Sequence, residues 1–337
     1  MMDPFEIRKI GSTGVGITAL GLGGAPISGV THAGGLYGGT DYNEALRVIK
    51  TAYELGVRYF DTAPLYGMGR SEGRYSAVLP KLPRGSFVIS TKAGRILRPA
   101  DQNTTKPIGP EMLPVLEPTF DYTRDGIRRS LEDSLTRLKL DSIDILLLHD
   151  PDVAGWEKQA TETALPALIE LKNEGIVRAI GCGINEWQMP ARFVQRLDLD
   201  VVLLAGRYTL LDLSALHEFM PLCEKRDVSV VIGGPYNSGI LARDLSGPVA
   251  FDYEVASDQW VDRAKALKSV CDKHSVDLKA AALQFVLAHP AVASVVPGSG
   301  SIAELKENAR LITDTIPEDL WLELKSSGLL PEQVPTP

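Results

Sequence analysis

Residues 59–67 read Tyr-Phe-Asp-Thr-Ala-Pro-Leu-Tyr-Gly, and this stretch indicates how the chain folds. A short apolar run ends there at the ionisable residue Asp61, and Tyr66 follows five residues later. Two further apolar runs end in the same way, at Lys92 and at His149. Short runs that are apolar throughout are typical of parallel strands buried on both faces. The pattern therefore predicts three ionisable side chains at the carboxyl ends of parallel strands.

Short apolar runs and longer amphipathic stretches alternate along the chain. The apolar runs predict eight strands, at residues 17–21, 57–61, 87–91, 143–148, 177–181, 201–204, 228–232 and 293–296. The amphipathic stretches predict helices that include residues 41–55, 123–138, 163–174, 278–288 and 301–311. This alternation favours an α/β fold of the (β/α)8 TIM barrel type, with an open doubly wound sheet as the alternative. No change of composition marks a boundary, so residues 1–337 are predicted to form a single domain.

Several stretches do not fit the alternation. Residues 11–14, Gly-Ser-Thr-Gly, predict a hairpin turn that would let residues 5–9 cap the bottom of the barrel. Long loops are predicted after strands one, three and seven, at residues 21–39, 93–120 and 235–257. Barrel enzymes build their active sites from the loops that follow their strands, so these loops are expected to wall a substrate pocket.

The composition restricts the classes of partner. The 337 residues are 44% hydrophobic and carry a net charge of −8. Nucleic acids and anionic membranes attract proteins through clustered Lys and Arg, so neither is an expected partner. A small-molecule substrate is expected instead, bound by a monomer or a weak homo-oligomer.

The cysteines and the N-terminus bear on the compartment. Cys182, Cys223 and Cys271 are far apart and form no Cys-x-x-Cys pair, which predicts neither a disulfide framework nor a metal site. Residues 1–10 contain acidic side chains and lack the apolar region of a signal peptide. No run of about 18 apolar residues predicts a membrane span. A cytoplasmic location is therefore expected.

Asp61, Tyr66, Lys92 and His149 are predicted to form one acid–base site, because successive strand ends converge at the mouth of a barrel. A free tyrosine, with a pKa of about 10, is a poor base at neutral pH. A neighbouring ammonium group stabilises the phenolate form, and Asp61 would hold Lys92 charged and in place. Such a site can exchange a proton with a substrate oxygen while hydride moves at the attached carbon. Because tyrosine supplies no hydride, the site would need a redox cofactor.

A second motif lies near the C-terminus. Residues 298–303 read Gly-Ser-Gly-Ser-Ile-Ala after the last predicted strand and formally match G-x-G-x-x-A. A helix N-terminus with unpaired N–H groups suits a phosphate, although a plain turn with a serine cap would give the same pattern. A Rossmann fold does not fit, since too little chain follows to complete a βαβ unit.

These residues together resemble the aldo-keto reductase superfamily over nearly the whole chain. Asp61-Thr62-Ala63-x-x-Tyr66-Gly67 is similar to its signature, and Lys92 and His149 match the rest of its catalytic tetrad in order and strand placement. The resemblance implies a (β/α)8 barrel that binds an extended nicotinamide cofactor. It also implies that Tyr66 is the general acid/base, that Lys92 and Asp61 tune it, and that His149 orients the substrate.

The resemblance further implies a set of cofactor contacts. Asn185 matches the asparagine that bonds the nicotinamide carboxamide, and Ser299 and Asn308 match residues at the adenosine end. The implied set is Asn185, Gly234, Pro235, Ser238, Gly239, Leu241, Pro297, Gly298, Ser299, Glu304 and Asn308.

The sequence departs from the family pattern at several positions. Ala205 stands where a glutamine is usual, and Gly233 stands where an aromatic residue usually stacks on the nicotinamide ring. Gly298 and Glu304 occupy positions that are basic in NADP-using members. A carboxylate repels a phosphate but accepts a hydrogen bond from a ribose 2′-hydroxyl, so NAD is expected in preference to NADP, with oxidation as the expected direction. A solvated helix acid is the alternative interpretation of Glu304.

The stretches 206–211 and 233–241 resemble the sugar dehydrogenases that oxidise L-fucose, L-galactose or D-threo-aldoses at C1 to the lactone. Pyridoxal 4-dehydrogenase, which oxidises a cyclic hemiacetal, and a general aldehyde or ketone reductase remain alternatives. Two remoter hypotheses are a Schiff-base enzyme that uses Lys92 as its amine and a non-catalytic nicotinamide-binding subunit. Three aromatic residues are possible pocket walls, namely Tyr37, Trp187 and Trp260.

Overall fold

The computed structural model describes residues 2–29, 39–99, 116–153 and 155–337. The strands are β1 (Ile7–Ile10), β2 (Val15–Thr18), β3 (Leu22–Gly23), β4 (Tyr59–Asp61), β5 (Val88–Ala93), β6 (Arg95–Pro99), β7 (Leu116–Phe120), β8 (Ile145–His149), β9 (Ala179–Ile184), β10 (Val201–Ala205), β11 (Ser229–Gly233), β12 (Ala250–Phe251), β13 (Glu254–Val255) and β14 (Val292–Val296). The helices are α1 (Tyr42–Leu55), α2 (Arg70–Ser76), α3 (Arg124–Leu138), α4 (Glu157–Gln159), α5 (Leu165–Asn173), α6 (Gln188–Arg196), α7 (Phe219–Lys225), α8 (Asp258–Lys273), α9 (Leu278–Leu287), α10 (Ile302–Thr313) and α11 (Glu318–Ser326).

Eight of these strands form one parallel sheet that closes on itself. Their order is β3-β4-β5-β8-β9-β10-β11-β14. Residues just before β3 close the ring against β14, where Leu20 bridges Val295 in parallel and the Gly21 N–H donates to the Val295 carbonyl at 2.9 Å. The prediction of a (β/α)8 barrel is confirmed, and the alternative of an open doubly wound sheet is wrong.

The first predicted strand is placed wrongly, whereas the other seven differ from the structure by no more than three residues at either end. The apolar run at residues 15–22 serves two strands. Ile17 belongs to β2, where it pairs with Arg8 in a hairpin, and the first barrel strand is only Leu22–Gly23. Both strands bury their side chains, so apolarity alone could not separate them.

The N-terminal hairpin of β1 and β2 closes the bottom of the barrel, as predicted. Its residues Ile10, Val15 and Ile17 are fully buried and belong to the same apolar cluster as inward-facing residues of the barrel strands. Arg8 anchors the hairpin, because its Nη1 donates to the carbonyl oxygens of Leu287 and Val292 at 3.0 Å each. The opposite end of the barrel is left for the site.

Helix starts follow the capping residues in the sequence. The Asp41 carboxylate accepts a hydrogen bond from the Glu44 N–H at 2.9 Å and starts α1. The Thr123 hydroxyl accepts one from the Gly126 N–H at 3.0 Å and starts α3. Such caps satisfy backbone donors that lack a partner within the helix, which explains why these predicted boundaries hold within one residue.

The long loops after the barrel strands carry small elements of their own. The loop after β5 begins and ends in the antiparallel pair β6–β7, and the loop after β11 contains the antiparallel pair β12–β13. Much of the first two predicted loops, together with Tyr37, lies outside the described residues. Among the described residues, no helix has both the length and the apolar composition that crossing a membrane requires.

Packing between neighbouring strands gives a first prediction. A Cβ added to Gly181 of β9 would lie 1.6 Å from the carbonyl oxygen of Val201 on β10. Gly181→Ala is therefore expected to lower the free energy of unfolding by about 1–3 kcal/mol or to prevent folding. Urea unfolding followed by circular dichroism measures the change. An unchanged midpoint would contradict the close approach of β9 and β10.

Gly73→Ala is the matched control. Gly73 lies within α2, and an added Cβ there meets no atom within 4 Å. Replacing a helical glycine by alanine stabilises a helix by about 0.5–1 kcal/mol, so this variant is expected to unfold at a higher urea concentration.

Candidate active site

Lys92 and Asp61 form a buried ion pair at the carboxyl ends of β5 and β4. Lys92 Nζ lies 2.8 Å from Asp61 Oδ2 and 3.1 Å from Oδ1, and it also donates to the Thr62 carbonyl at 2.9 Å. Only 1% of Lys92 and 3% of Asp61 is exposed. The Ser90 hydroxyl donates to Asp61 Oδ1 at 2.6 Å. Because a buried charge is tolerated only when it is paired, these contacts hold the lysine as an ammonium ion.

Tyr66 and His149 lie on the cavity side of this pair. Lys92 Nζ is 4.6 Å from the centre of the Tyr66 ring. The rings of Tyr66 and His149 are 5.9 Å apart and nearly perpendicular. All four residues of the predicted acid–base site line one cavity of about 270 Å³. The structure thus brings the four together as expected, while their catalytic roles stay predictions.

The turn that carries Tyr66 is fixed at both ends. The hydroxyls of Thr62 and Ser71 are 2.8 Å apart, and the Ser71 N–H donates to the Tyr66 carbonyl at 3.2 Å. Gly67 has a φ of +64°, and a Cβ there would lie 2.9 Å from Ser28. Both the backbone conformation and the close approach require glycine, so the sequence Tyr66-Gly67 sets the position of the ring.

His149 is buried and uncharged. Burial is the main cause that lowers its pKa well below the usual value, and the positive charges of Lys92 and Arg95 act in the same direction. Among the described residues its Nδ1 has no hydrogen-bond partner, and its carbonyl accepts a bond from the Tyr122 hydroxyl at 2.5 Å. A neutral imidazole in this position can exchange a hydrogen bond with a substrate oxygen but carries no charge into the cavity.

Asp150 is a cavity residue that the sequence reasoning missed. It follows His149 directly and lines the same cavity. Its Oδ2 accepts a hydrogen bond from Arg95 Nη2 at 2.7 Å. The only sequence signal was its place after a strand end, and an aspartate there more often caps a turn.

The predicted cofactor residues divide between two cavities that share part of their walls. Asn185, Gly234, Pro297 and Gly298 line the cavity that holds the four acid–base residues. A second cavity, of about 200 Å³, is also lined by residues from the predicted set. These are Gly234, Pro235, Ser238, Gly239, Gly298 and Glu304. Gly234 and Gly298 belong to both, so the two cavities form one elongated cleft.

The far end of this cleft lies at the start of α10 and carries charges of both signs. Glu304 Oε2 accepts a hydrogen bond from the Gly300 N–H at 2.7 Å, and Glu44 Oε1 accepts one from the Ile302 N–H at 3.2 Å. Arg243 lines the same cavity as Glu304. Two backbone donors at this helix N-terminus are therefore already bonded to carboxylates, while Arg243 offers a separate cation.

Three predicted cofactor residues are not among the lining residues of either cavity. Asn308 donates to the Ser299 hydroxyl at 3.0 Å and accepts a bond from the Tyr236 hydroxyl at 2.7 Å, and both Asn308 and Ser299 are buried. Leu241, within the loop after β11, is also buried. The side chains of these three residues pack inside the protein, and their contact with a cofactor stays a prediction.

A hairpin over the cleft supplies an aromatic residue that the sequence reasoning also missed. Tyr253, in the turn between β12 and β13, lines the acid–base cavity. Asp252 is paired with Arg207 at 2.7 Å, and the Tyr253 N–H donates to the Ser238 hydroxyl at 3.1 Å. Trp260, considered as a wall, stacks instead on Phe251 at 4.1 Å. Trp187 packs against the hydrophobic core and is not among the residues that line the cavity.

The cleft fits an extended nicotinamide cofactor on the chemistry of its lining. Near the acid–base residues it is lined by Asn185 together with the small residues Ala205, Gly233 and Gly234, where a flat ring can approach the backbone. The far end presents polar and charged groups that suit a ribose and phosphates. When bound, such a cofactor supplies the acceptor or donor of hydride.

Comparisons with known proteins agree with this geometry. The model of the Aldo/keto reductase family matches residues 19–327. Pyridoxal 4-dehydrogenase from Microbacterium luteolum is 38% identical over 342 residues, covering 96% of this chain and 98% of that protein. D-threo-aldose 1-dehydrogenase from Pseudomonas sp is 38% identical over 325 residues, covering 95% of this chain and 97% of that protein.

A solved structure supports the same assignment. An aldo-keto reductase from Bacillus halodurans, in its holo form, has a TM-score of 0.76 and 25% identity, and the match covers 96% of each chain. The barrel, the cleft and the extent of the family match lead to one conclusion: this chain belongs to the aldo/keto reductase family and is an oxidoreductase.

Proposed function

We propose that this enzyme oxidises a sugar hemiacetal at C1 to the lactone, with NAD as the preferred cofactor. The single observation that supports this most is the buried Lys92–Asp61 pair beneath the Tyr66 ring, in a cavity that also contains the ionisable residue Asp150. The likeness to D-threo-aldose 1-dehydrogenase favours an aldose substrate of the L-fucose, L-galactose or D-threo type.

The proton path follows from the positions of the side chains. Tyr66 takes the proton of the C1 hydroxyl as the C1 hydrogen leaves with its electron pair. The Lys92 ammonium, 4.6 Å from the ring centre, stabilises the negative charge of a phenolate. His149, held neutral by burial, bonds the same substrate oxygen and orients it. Asp61 keeps Lys92 in place and keeps the pair neutral as a whole.

The contacts of Lys92 weaken the Schiff-base hypothesis. A lysine nucleophile must lose its proton, which usually requires desolvation without a counter-ion. Lys92 Nζ is instead surrounded by two Asp61 oxygens and the Thr62 carbonyl. The non-catalytic hypothesis is disfavoured because all four acid–base residues share one cavity.

Pyridoxal is the second candidate substrate. The likeness to pyridoxal 4-dehydrogenase, over nearly the whole of both chains, favours it specifically. Oxidation of its cyclic hemiacetal requires the same proton transfer to Tyr66. A panel of aldoses and pyridoxal with NAD and NADP, followed by NADH fluorescence, separates the two candidates from each other and from a general aldehyde or ketone reductase.

The NAD preference is supported by charge at the far end of the cleft. Glu304 and Glu44 both hold backbone N–H groups at the start of α10, where a 2′-phosphate would otherwise bind. We also propose that residues 1–337 act as a single domain. Because all three cysteines are free and buried, a reducing, cytoplasmic location fits.

Tyr66→Phe tests the proton path. Removal of the hydroxyl is expected to reduce kcat at least about 100-fold, because general acid–base catalysis of this kind contributes that much or more. NAD binding, measured by fluorescence titration, is expected to stay within about twofold, since only the proton acceptor is lost. Equal loss of binding and turnover would contradict the assigned role.

Tyr53→Phe is the matched control for that experiment. The Tyr53 hydroxyl bonds the Ser86 hydroxyl at 2.8 Å, and neither residue lines the cleft. This variant loses the same atom from the same residue type and is expected to keep the turnover of the unmodified enzyme.

Glu304→Arg tests the cofactor preference. The exchange places a cation where a 2′-phosphate is expected, so the ratio of kcat/KM for NADP to that for NAD should rise about tenfold or more, a change of about 1.4 kcal/mol. Steady-state kinetics with both cofactors measures the ratio. Glu318→Arg, the same exchange in the first turn of α11 and away from the cleft, is the control. An unchanged ratio in Glu304→Arg would defeat the proposal.

A further inference from the structure

Asp150 has a backbone conformation that is unusual for its residue type. Its φ is +43°, in the left-handed region that non-glycine residues rarely adopt. Its N–H donates to the Gly183 carbonyl at 2.9 Å, which continues the pairing of β8 with β9 by one residue beyond His149. Residues held in such conformations are concentrated at functional sites, because the surrounding structure must supply the energy that maintains them. The backbone thus directs Asp150 to the cavity wall at some cost in stability.

The Asp150 carboxylate has one oxygen engaged and one available. Oδ2 accepts a hydrogen bond from Arg95 at 2.7 Å and lies 3.5 Å from His149 Nε2. Oδ1 accepts no hydrogen bond from the described residues, and it is not among the fully buried side-chain atoms that lack a partner. Since the residue lines the acid–base cavity, a ligand there can reach this oxygen.

We propose that Asp150 is a substrate-binding residue that accepts hydrogen bonds from hydroxyl groups next to the reacting carbon. It would thereby select polyhydroxylated substrates over simple aldehydes and ketones. The inference rests on one part of the proposed function, namely that the reaction takes place in this cavity. A carboxylate accepts hydrogen bonds and donates none, so a hydroxyl-bearing substrate satisfies it. An apolar substrate would leave the same oxygen buried and unpaired, which costs affinity.

The protonation of Asp150 makes this selection dependent on pH. Burial raises its pKa to about 6, partly opposed by Arg95 and Lys92 and assisted by the negative charge of Asp152, while the facing His149 is neutral. The carboxylate therefore accepts hydrogen bonds above about pH 6 and loses half of that capacity as the pH falls through this value. The preference for hydroxylated substrates should fall over the same range.

Asp150→Asn tests the inference through a ratio of two substrates. Glyceraldehyde has a hydroxyl on C2, next to its carbonyl carbon, and another on C3, and propanal has the same carbon chain without them. In the NADH-dependent reduction, the ratio of kcat/KM for glyceraldehyde to that for propanal is expected to fall about 10- to 100-fold in the variant, mainly through KM. The propanal constants and the dissociation constant of NADH are expected to change less than about threefold. Asp152→Asn is the control, because it removes a charge two residues away whose side chain does not line the cavity. Both variants are compared well above pH 6, where Asp150 is ionised with or without the Asp152 charge, and this control should leave the ratio unchanged.

The outcomes separate the inference from the proposed function. A ratio that stays unchanged in Asp150→Asn, or an equal loss on both aldehydes, overturns the inference even if the enzyme oxidises aldoses. A collapsed ratio without any aldose oxidation supports the inference and rejects the proposed function. If the unmodified enzyme turns over neither aldehyde, the inference is overturned, while the aldose panel alone decides the proposed function. If the variant does not fold, the unmodified enzyme decides, because its KM for glyceraldehyde should rise below about pH 6 while that for propanal does not.

Discussion

The ion pair between Lys92 and Asp61 is the interaction on which the site depends. An ammonium group that is almost fully removed from water is stable only when acceptors surround it, and here Asp61 and the Thr62 carbonyl provide them. The Ser90 hydroxyl donates to Asp61, and the Tyr59 hydroxyl lies 3.0 Å from the Ser90 hydroxyl below it. The inner wall of the barrel thus changes from apolar to polar just beneath the cavity. The charge that faces Tyr66 is fixed before any substrate arrives.

Two ion pairs and one neutral histidine lie close together at the acid–base cavity. The Lys92 charge is balanced by Asp61, and the Asp150 charge is balanced by Arg95. His149 lies between these pairs, and both cations help to keep it neutral. In the proposed function, proton transfer falls to Tyr66, which stands over the first pair. Recognition of hydroxyl groups is assigned to Asp150, whose second oxygen remains available. The two tasks are separated by an imidazole that can bond to the substrate oxygen between them.

The sequence predicts the barrel and the four acid–base residues because both depend on local patterns that tertiary structure does not overrule. Apolar runs that end in an ionisable residue mark strand ends, and parallel closure brings those ends together. The first strand, predicted at residues 17–21, is misplaced because Ile17 is as buried in the hairpin as it would be in a barrel strand. Asp150 and Tyr253 were missed for a different reason. Each stands in a turn whose direction depends on a positive φ, of +43° and +66°, and no residue-type pattern reveals that.

The N–H groups at the start of α10 bear on the choice between NAD and NADP. Unpaired N–H groups and the helix dipole attract any anion, whether it is a phosphate or a carboxylate of the chain. Here Glu304 and Glu44 already bond the N–H groups of Gly300 and Ile302. A 2′-phosphate would have to displace these carboxylates and approach their negative charge, whereas a ribose hydroxyl can donate a hydrogen bond to them. Arg243 lines the same cavity and suits the phosphates that NAD and NADP share. The feature that would favour NADP in an uncapped helix therefore supports the proposed preference for NAD in this chain.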